Sequence, residues 1–443
     1  MYVVAPTNRR PFGFDWEEWG RLNALATLDH AKETFRIDPS RVYATGHSMG
    51  GHGTWHLSVM HPGLFAALGP SAGWASFYTY GDSPEPPDWL EPARAHSDTY
   101  AYMSNLERRG AYILHGDADT NVPLSEGQAL YDAITQYTED VEFHIEPGAD
   151  HWWDGDASEG QDCVDWPPMY EFFKERELDV TELDFEFRTP GQWIGAFHSY
   201  ITLQSTVTPF EDGQFISEEP EEGVVELSTD NVRAFDVDAD ALLDRGVTEL
   251  IVDGDSLDIS GGGTVVVGPG DGKNKDAPGM LNPTFHRPFC LVYPDDEARV
   301  FRAFTAHLLS TWSLVGNGHG CALPYELLSD EIAEERNLIY VGFAADDIVE
   351  HEISELHWDE QNFEIADNTF DEVAGFTTFA DGDHQGAAFF ATEGAERLIF
   401  GHQPFSSRAG MGDLFVWTFD GGITGGFYDT SWEFDPALMA GGD

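Results

Sequence analysis

The chain has 443 residues, 41% of them apolar, which is ample for buried cores and by length suggests roughly two to four domains. With 80 acidic against 22 basic residues the net charge is −58, and no basic patch is available to meet phosphates, so nucleic acid is excluded as a partner. The acids lie among aromatic and β-branched residues, which excludes a disordered acidic tail and points to a halophilic protein whose self-repulsion concentrated salt screens.

Residues 2–5 read as a buried strand that begins abruptly, with no earlier element to pair with. Trp16, Trp19, Leu22, Leu25, Leu28, Ala31 and Phe35 then recur at helical spacing up to a turn at Asp38-Pro39. A β-branched and aromatic run at residues 41–45 suits a strand, and it stops at Gly46-His47-Ser48-Met49-Gly50. This G-x-S-x-G pattern fits a serine held on a sharp strand-to-helix turn, where crowded backbone leaves no room for side chains on either side. The turn would lift the Ser48 hydroxyl out of the sheet and aim the Met49 backbone N–H at an oxyanion. A second match, Gly69-Pro70-Ser71-Ala72-Gly73, is followed by turn-rich sequence that opens no helix, whereas residues 52–60 form one readily. Ser71 therefore belongs at the end of the next strand, near the site but not attacking.

An apolar run at residues 64–68 follows, and the Pro- and acid-rich residues 82–92 read as an excursion or lid. Helices are expected at residues 99–109 and 126–137, and strands at 111–114 and 141–145. The first of these strands ends at His115-Gly116-Asp117-Ala118-Asp119, the second at Gly148-Ala149-Asp150-His151-Trp152-Trp153. Strands alternating with helices imply an α/β domain with a mostly parallel sheet, its functional residues at the carboxyl ends of strands. Ser48, Asp119 and His151 occupy those ends, in the order of the α/β-hydrolase arrangement. His151 would take the Ser48 proton, and Asp119 would fix the imidazole tautomer and stabilise the imidazolium.

Together GHSMGGHGTW, HGDADTNVP and GADHWW resemble the catalytic domain of prolyl oligopeptidase-like serine peptidases and the neighbouring esterases of that fold, over residues 1–176. The resemblance implies Asp119 in place of Asp117 as the acid, and His151 in place of His144 as the base. It also implies several strands upstream of residues 2–5, with the second oxyanion donor on a loop or tyrosine there. Either the chain is truncated or mis-started, or the sheet is N-terminally shortened and the second donor comes from elsewhere; an enzyme short of one donor loses about 100- to 1,000-fold in turnover. For His47, beside the nucleophile, and for Trp152, packing or hydrogen bonding is weighed against substrate contact.

Beyond residue 176 the texture changes. Strand-like runs at residues 179–188, 199–206, 223–227 and 249–253 suggest a β-sandwich-like module over residues 177–272. Its Gly-rich residues 261–272 fail as a phosphate loop, since Val267 and Asn274 stand where Gly and Ser or Thr are required, and read as a linker. Asp236, Asp238 and Asp240 fail as a calcium loop, with Ala241 and Val247 where Gly and Glu are required, and read as a solvated acidic face. Residues 273–443 suggest an α/β or α+β accessory domain, with a helix at 297–314 and strands at 289–293, 338–343, 387–391, 397–400 and 414–419. Gly316-Asn317-Gly318 follows a helix where a dinucleotide fingerprint needs a strand, so it reads as a turn.

Cys163, Cys290 and Cys321 form no C-x-x-C pair, which argues against a zinc site or a disulfide framework and leaves room for one bridge. No run reaches transmembrane length and the opening MYVVAP is no signal peptide, so a cytoplasmic chain without membrane contact is expected, or a secreted one if a leader precedes it. The expected function is a serine hydrolase cleaving peptides or esters through a Ser48 acyl-enzyme, without metal or cofactor. A carboxylesterase of the same fold is one alternative, and a binding or assembly protein with a relic triad is the other.

Overall fold

The computed structural model describes residues 1–7, 13–81, 91–155, 159–294, 299–348, 355–382, 384–401, 405 and 411–440. Its first unit is a four-stranded parallel sheet of β1 (Tyr43–His47), β2 (Ala67–Ser71), β3 (Gly110–Gly116) and β4 (Val141–Glu146), in that spatial order. Parallel neighbours need crossover connections, and helices supply them on both faces. On one face Trp55, Met60, Leu130 and Ile134 pack with Leu68, Ala111 and Ile113; on the other Met169 and Phe173 pack with Ala67 and Leu114. The switch of face between adjacent residues of β2 and β3 is the two-residue strand period at work. This is the α/β architecture expected for the catalytic part.

The lid expected at residues 82–92 falls, up to residue 90, outside the described residues. The strand expected at residues 2–5 does not form. Tyr2, Val3 and Val4 are exposed, Tyr2 stacking on Phe35, and β1 pairs among the described residues only with β2. An isolated apolar run gains nothing from extended backbone without a neighbouring strand to bond to.

Two helices frame the elbow. α1 (Glu18–Thr34) precedes β1, and α2 (Met49–Met60) follows it, buried from Gly51 to its end. α1 also reaches outside the first unit. Trp19 is buried against Phe285, Trp312 and Phe405, its indole N–H donating to the Phe285 carbonyl, and Arg21 donates to the carbonyls of Trp193 and Ile194.

Residues beyond 176 build two facing sheets. Phe185–Thr189, Gly213–Glu221, Val224–Asp230, Glu249–Val252 and Asp255–Leu257 make one; Phe197–His198, Ile201–Thr206, Val232–Asp238 and Thr264–Val267 make the other. Phe187, Phe215 and Leu227 from the first share a core with Leu203, Phe235 and Val237 from the second. The Gly-rich residues 261–272 are thus not simply a linker, because the β-branched run Thr264–Val267 adds an antiparallel edge strand to Val232–Asp238. Asp238 is not merely solvated either, since it caps the helix Ala239–Asp244 by accepting from the Ala241 N–H.

The last unit is an eight-stranded sheet, parallel from Cys321–Pro324 through Phe289–Tyr293 and Asn337–Val341 to His384–Ala391, and antiparallel beyond. The helix Arg299–Val315 covers its core. A disulfide joins Cys290 to Cys321 on adjacent strands, filling the place left for one bridge. The strand expected at residues 397–400 is instead a 3-10 turn, Glu396–Gly401, in which Phe400 packs edge-on against Phe304 and the Leu398 carbonyl accepts from the Trp417 indole. Tertiary contacts there outweigh the β-propensity of a short apolar run.

Candidate active site

Ser48 sits between β1 and α2 at φ 59°, ψ −117°, a left-handed conformation that a non-glycine residue holds only when its surroundings enforce it. The enforcement is close approach. A Cβ on Gly46 would lie 2.4 Å from the Gly50 carbonyl oxygen, and one on Gly51 would lie 2.4 Å from that of Ser71. A Cβ on Gly50 would meet nothing within 4 Å, so the crowding expected at Gly50 falls on Gly51 instead. The Ser48 N–H donates to the Ser71 carbonyl at 2.8 Å, pinning the elbow to the end of β2.

Asp119 lies three residues beyond β3, its side chain fully buried. Oδ1 accepts from the backbone N–H groups of Asn121 and Val122, both at 2.8 Å, so that Oδ2 is left for His151 Nδ1, also at 2.8 Å. His115, on β3, backs the same loop by donating Nε2–H to the Val122 carbonyl at 2.9 Å. His151 follows β4, with its backbone N–H on Asp150 Oδ1, and Asp150 in turn binds Thr120. With Nδ1–H committed to Asp119, Nε2 is free to accept from the Ser48 hydroxyl, and the two atoms stand 2.9 Å apart. Asp117 Oδ1 accepts from the Gly148 backbone N–H, and His144 pairs with Glu146, so both are committed elsewhere.

Around this chain stand His47 and Trp152. The His47 ring lies 4.7 Å from that of His151 and 4.2 Å from that of Trp152. Trp152 is 61% exposed at the rim, whereas Trp153 is buried against Trp166. Burial, then the neighbouring His151, pulls the His47 pKa down to about 4 against the opposing pull of Asp119. Met49, whose N–H is the expected oxyanion donor, opens α2 directly after Ser48.

Behind the elbow, α2 presents two histidines that the sequence did not single out as a pair with α1. His52 stacks on Trp74 with Nδ1 at the Trp74 carbonyl, and its Nε2 stands 3.4 Å from Glu17 Oε1. Glu18 bonds His286 at 2.8 Å and faces His96 at 3.6 Å, while His56 lies fully buried between His52 and His96. Among the described residues no three His, Cys, Asp or Glu side chains are arranged to hold a metal ion. A cleft of about 970 Å³ lies elsewhere, lined by Gln204, Asp236, Lys273, Arg287, His384 and Trp432.

Residues 12–176, which hold all three motifs, match the model of the prolyl oligopeptidase family. An uncharacterized secreted protein of Arthroderma benhamiae is 23% identical over 285 residues, covering 58% of this chain and 30% of that protein. Poly(3-hydroxyalkanoate) depolymerase C of Paucimonas lemoignei is 29% identical, over 31% of this chain and 38% of its own length. Dipeptidyl-peptidase 5 of Porphyromonas gingivalis is 26% identical, over 34% of this chain and 26% of its own. The matches thus span well under half of each of these relatives.

Proposed function

We propose that this chain is a serine hydrolase that cleaves peptide or ester bonds through an acyl-enzyme on Ser48. The observation that carries the proposal is the hydrogen-bonded series from Ser48 Oγ to His151 Nε2 at 2.9 Å and from His151 Nδ1 to Asp119 Oδ2 at 2.8 Å. His151 removes the Ser48 proton as Oγ attacks the carbonyl and returns it to the leaving group; Asp119 holds the tautomer that permits both. The Met49 N–H would receive the oxyanion, a role supported by its place at the start of α2, where the helix dipole favours negative charge. Water then attacks the acyl-enzyme by the same route.

The ester reading draws on the depolymerase relative and the peptide reading on the family match together with the peptidase relative. Both use one triad, so they part only in the leaving group accepted at the rim around Trp152. A fluorophosphonate probe tests the common step. Labelling should occur in wild type and disappear in Ser48→Ala; an unlabelled wild type in molar salt would leave a binding protein with a relic triad as the better account.

A further inference from the structure

The second G-x-S-x-G match has no part in the mechanism above, yet Ser71 holds the elbow twice. It stands opposite His47 in the β1–β2 register, its carbonyl accepts the Ser48 N–H at 2.8 Å, and its hydroxyl lies 2.9 Å from His47 Nδ1. Ser71 itself is buried, so this hydroxyl is no solvent-facing group that bonds by chance. Among the described residues no acceptor meets His47 Nε2 with hydrogen-bond geometry, and the Cys163 backbone favours the protonated ring only weakly against burial. In the neutral tautomer with its proton on Nε2, Nδ1 accepts from the Ser71 O–H.

We propose that Ser71 and His47 form a positioning pair for the triad base, in which the Ser71 hydroxyl holds the His47 ring neutral and in contact with His151, so that His151 alone takes up the Ser48 proton. The pair rests on the serine-hydrolase reading and extends it to two residues outside the triad. A donor on Nδ1 opposes protonation of that nitrogen, and burial acts in the same direction. The charges facing His47 are His151 on the loop after β4, Asp119 on the loop after β3, and His115 on β3 itself. Burial weighs most, His151 and His115 also disfavour a second positive charge, Asp119 and the Cys163 backbone favour one, and a donated Ser71 O–H adds to the first side. A protonated His47 at this distance would repel the imidazolium that His151 must become.

The test is the pH dependence of nitrophenyl acetate hydrolysis in molar KCl for wild type, Ser71→Ala, His47→Phe and the double variant. Sites are counted by phosphonate titration at each pH, so that misfolded protein does not enter the rate. Wild type should show a one-proton acid limb in kcat/KM. In Ser71→Ala the rate per site should fall about tenfold, the worth of one buried hydrogen bond, with KM little changed. Its acid limb should also steepen to two protons and move to higher pH. His47→Phe fills the same space without titrating, so it and the double variant should keep the one-proton limb. A one-proton limb at the wild-type position in Ser71→Ala, whether or not the rate falls, overturns the pairing. Ser48→Ala, assayed alongside, separates the two levels: turnover surviving there overturns the triad reading itself.

Discussion

Replacing Asp119 by Asn isolates what the buried carboxylate does. The change is nearly isosteric, and the amide oxygen can keep the two backbone bonds from Asn121 and Val122 at 2.8 Å, so the loop should hold its shape. The amide NH₂ then occupies the position of Oδ2, 2.8 Å from His151 Nδ1, and a donor there rejects Nδ1–H. The imidazole shifts its proton to Nε2, which now meets Ser48 Oγ at 2.9 Å as a donor and cannot remove its proton. The charge-assisted bond to the imidazolium, worth about 1.5–3 kcal/mol, is lost as well. Together these should lower kcat by about 10³- to 10⁴-fold, or about 4–5.5 kcal/mol of barrier, with a smaller effect on KM. Steady-state hydrolysis of nitrophenyl acetate in molar KCl measures it, and the thermal midpoint checks that the fold survives. A variant with Asn at 119 that retains a tenth of the wild-type kcat would refute this account of the base.

Three further outcomes are expected. Thermal midpoints should climb steeply from millimolar to molar KCl, because a net charge of −58 is tolerated only when screened, and a flat series would remove the halophilic reading. Stability should fall as pH drops below about 6.5: His56, His61 and His96 have pKa values lowered by burial, His61 to about 3, so the unfolded chain binds protons the folded one refuses. Glu182 extends the loss further into acid, since burial pushes its pKa up but bonds from His198 and Arg109 bring it down to about 2; an unchanged midpoint between pH 7 and 5 counts against the histidine part. Alkylation of denatured, unreduced protein should modify Cys163 alone, and reduction should expose Cys290 and Cys321; losing that bridge should cost about 2–4 kcal/mol, and three modifications before reduction would contradict it.

What the sequence made legible was what is encoded within a few neighbouring residues. The elbow, the strands ending near Asp119 and His151, and the helix after Ser48 each carry their own apolar period and turn residues. The strand expected at residues 2–5 failed because a strand needs a neighbour, which no local pattern reports. Residues 397–400 failed for the opposite reason, their neighbours Phe304 and Trp417 drawing them into a turn. The Thr264–Val267 strand was hidden by the glycines around it. The pairing of Ser71 with His47 depends on the register of two strands, and the meeting of Glu17 and Glu18 with His52, His96 and His286 joins residues far apart along the chain.

That last meeting ties the first unit to the last. The carbonyl that receives the Trp19 indole lies 266 residues further along the chain, and the His286 partner of Glu18 lies 268 residues away. The last unit gives Trp19 its packing against Phe285, Trp312 and Phe405, and it gives Glu18 a second histidine beside His96. Glu17, at the N-cap of α1, stands against His52 on α2, the helix that follows Ser48. A change that unsettles the last unit should therefore reach the elbow through this one end of α1.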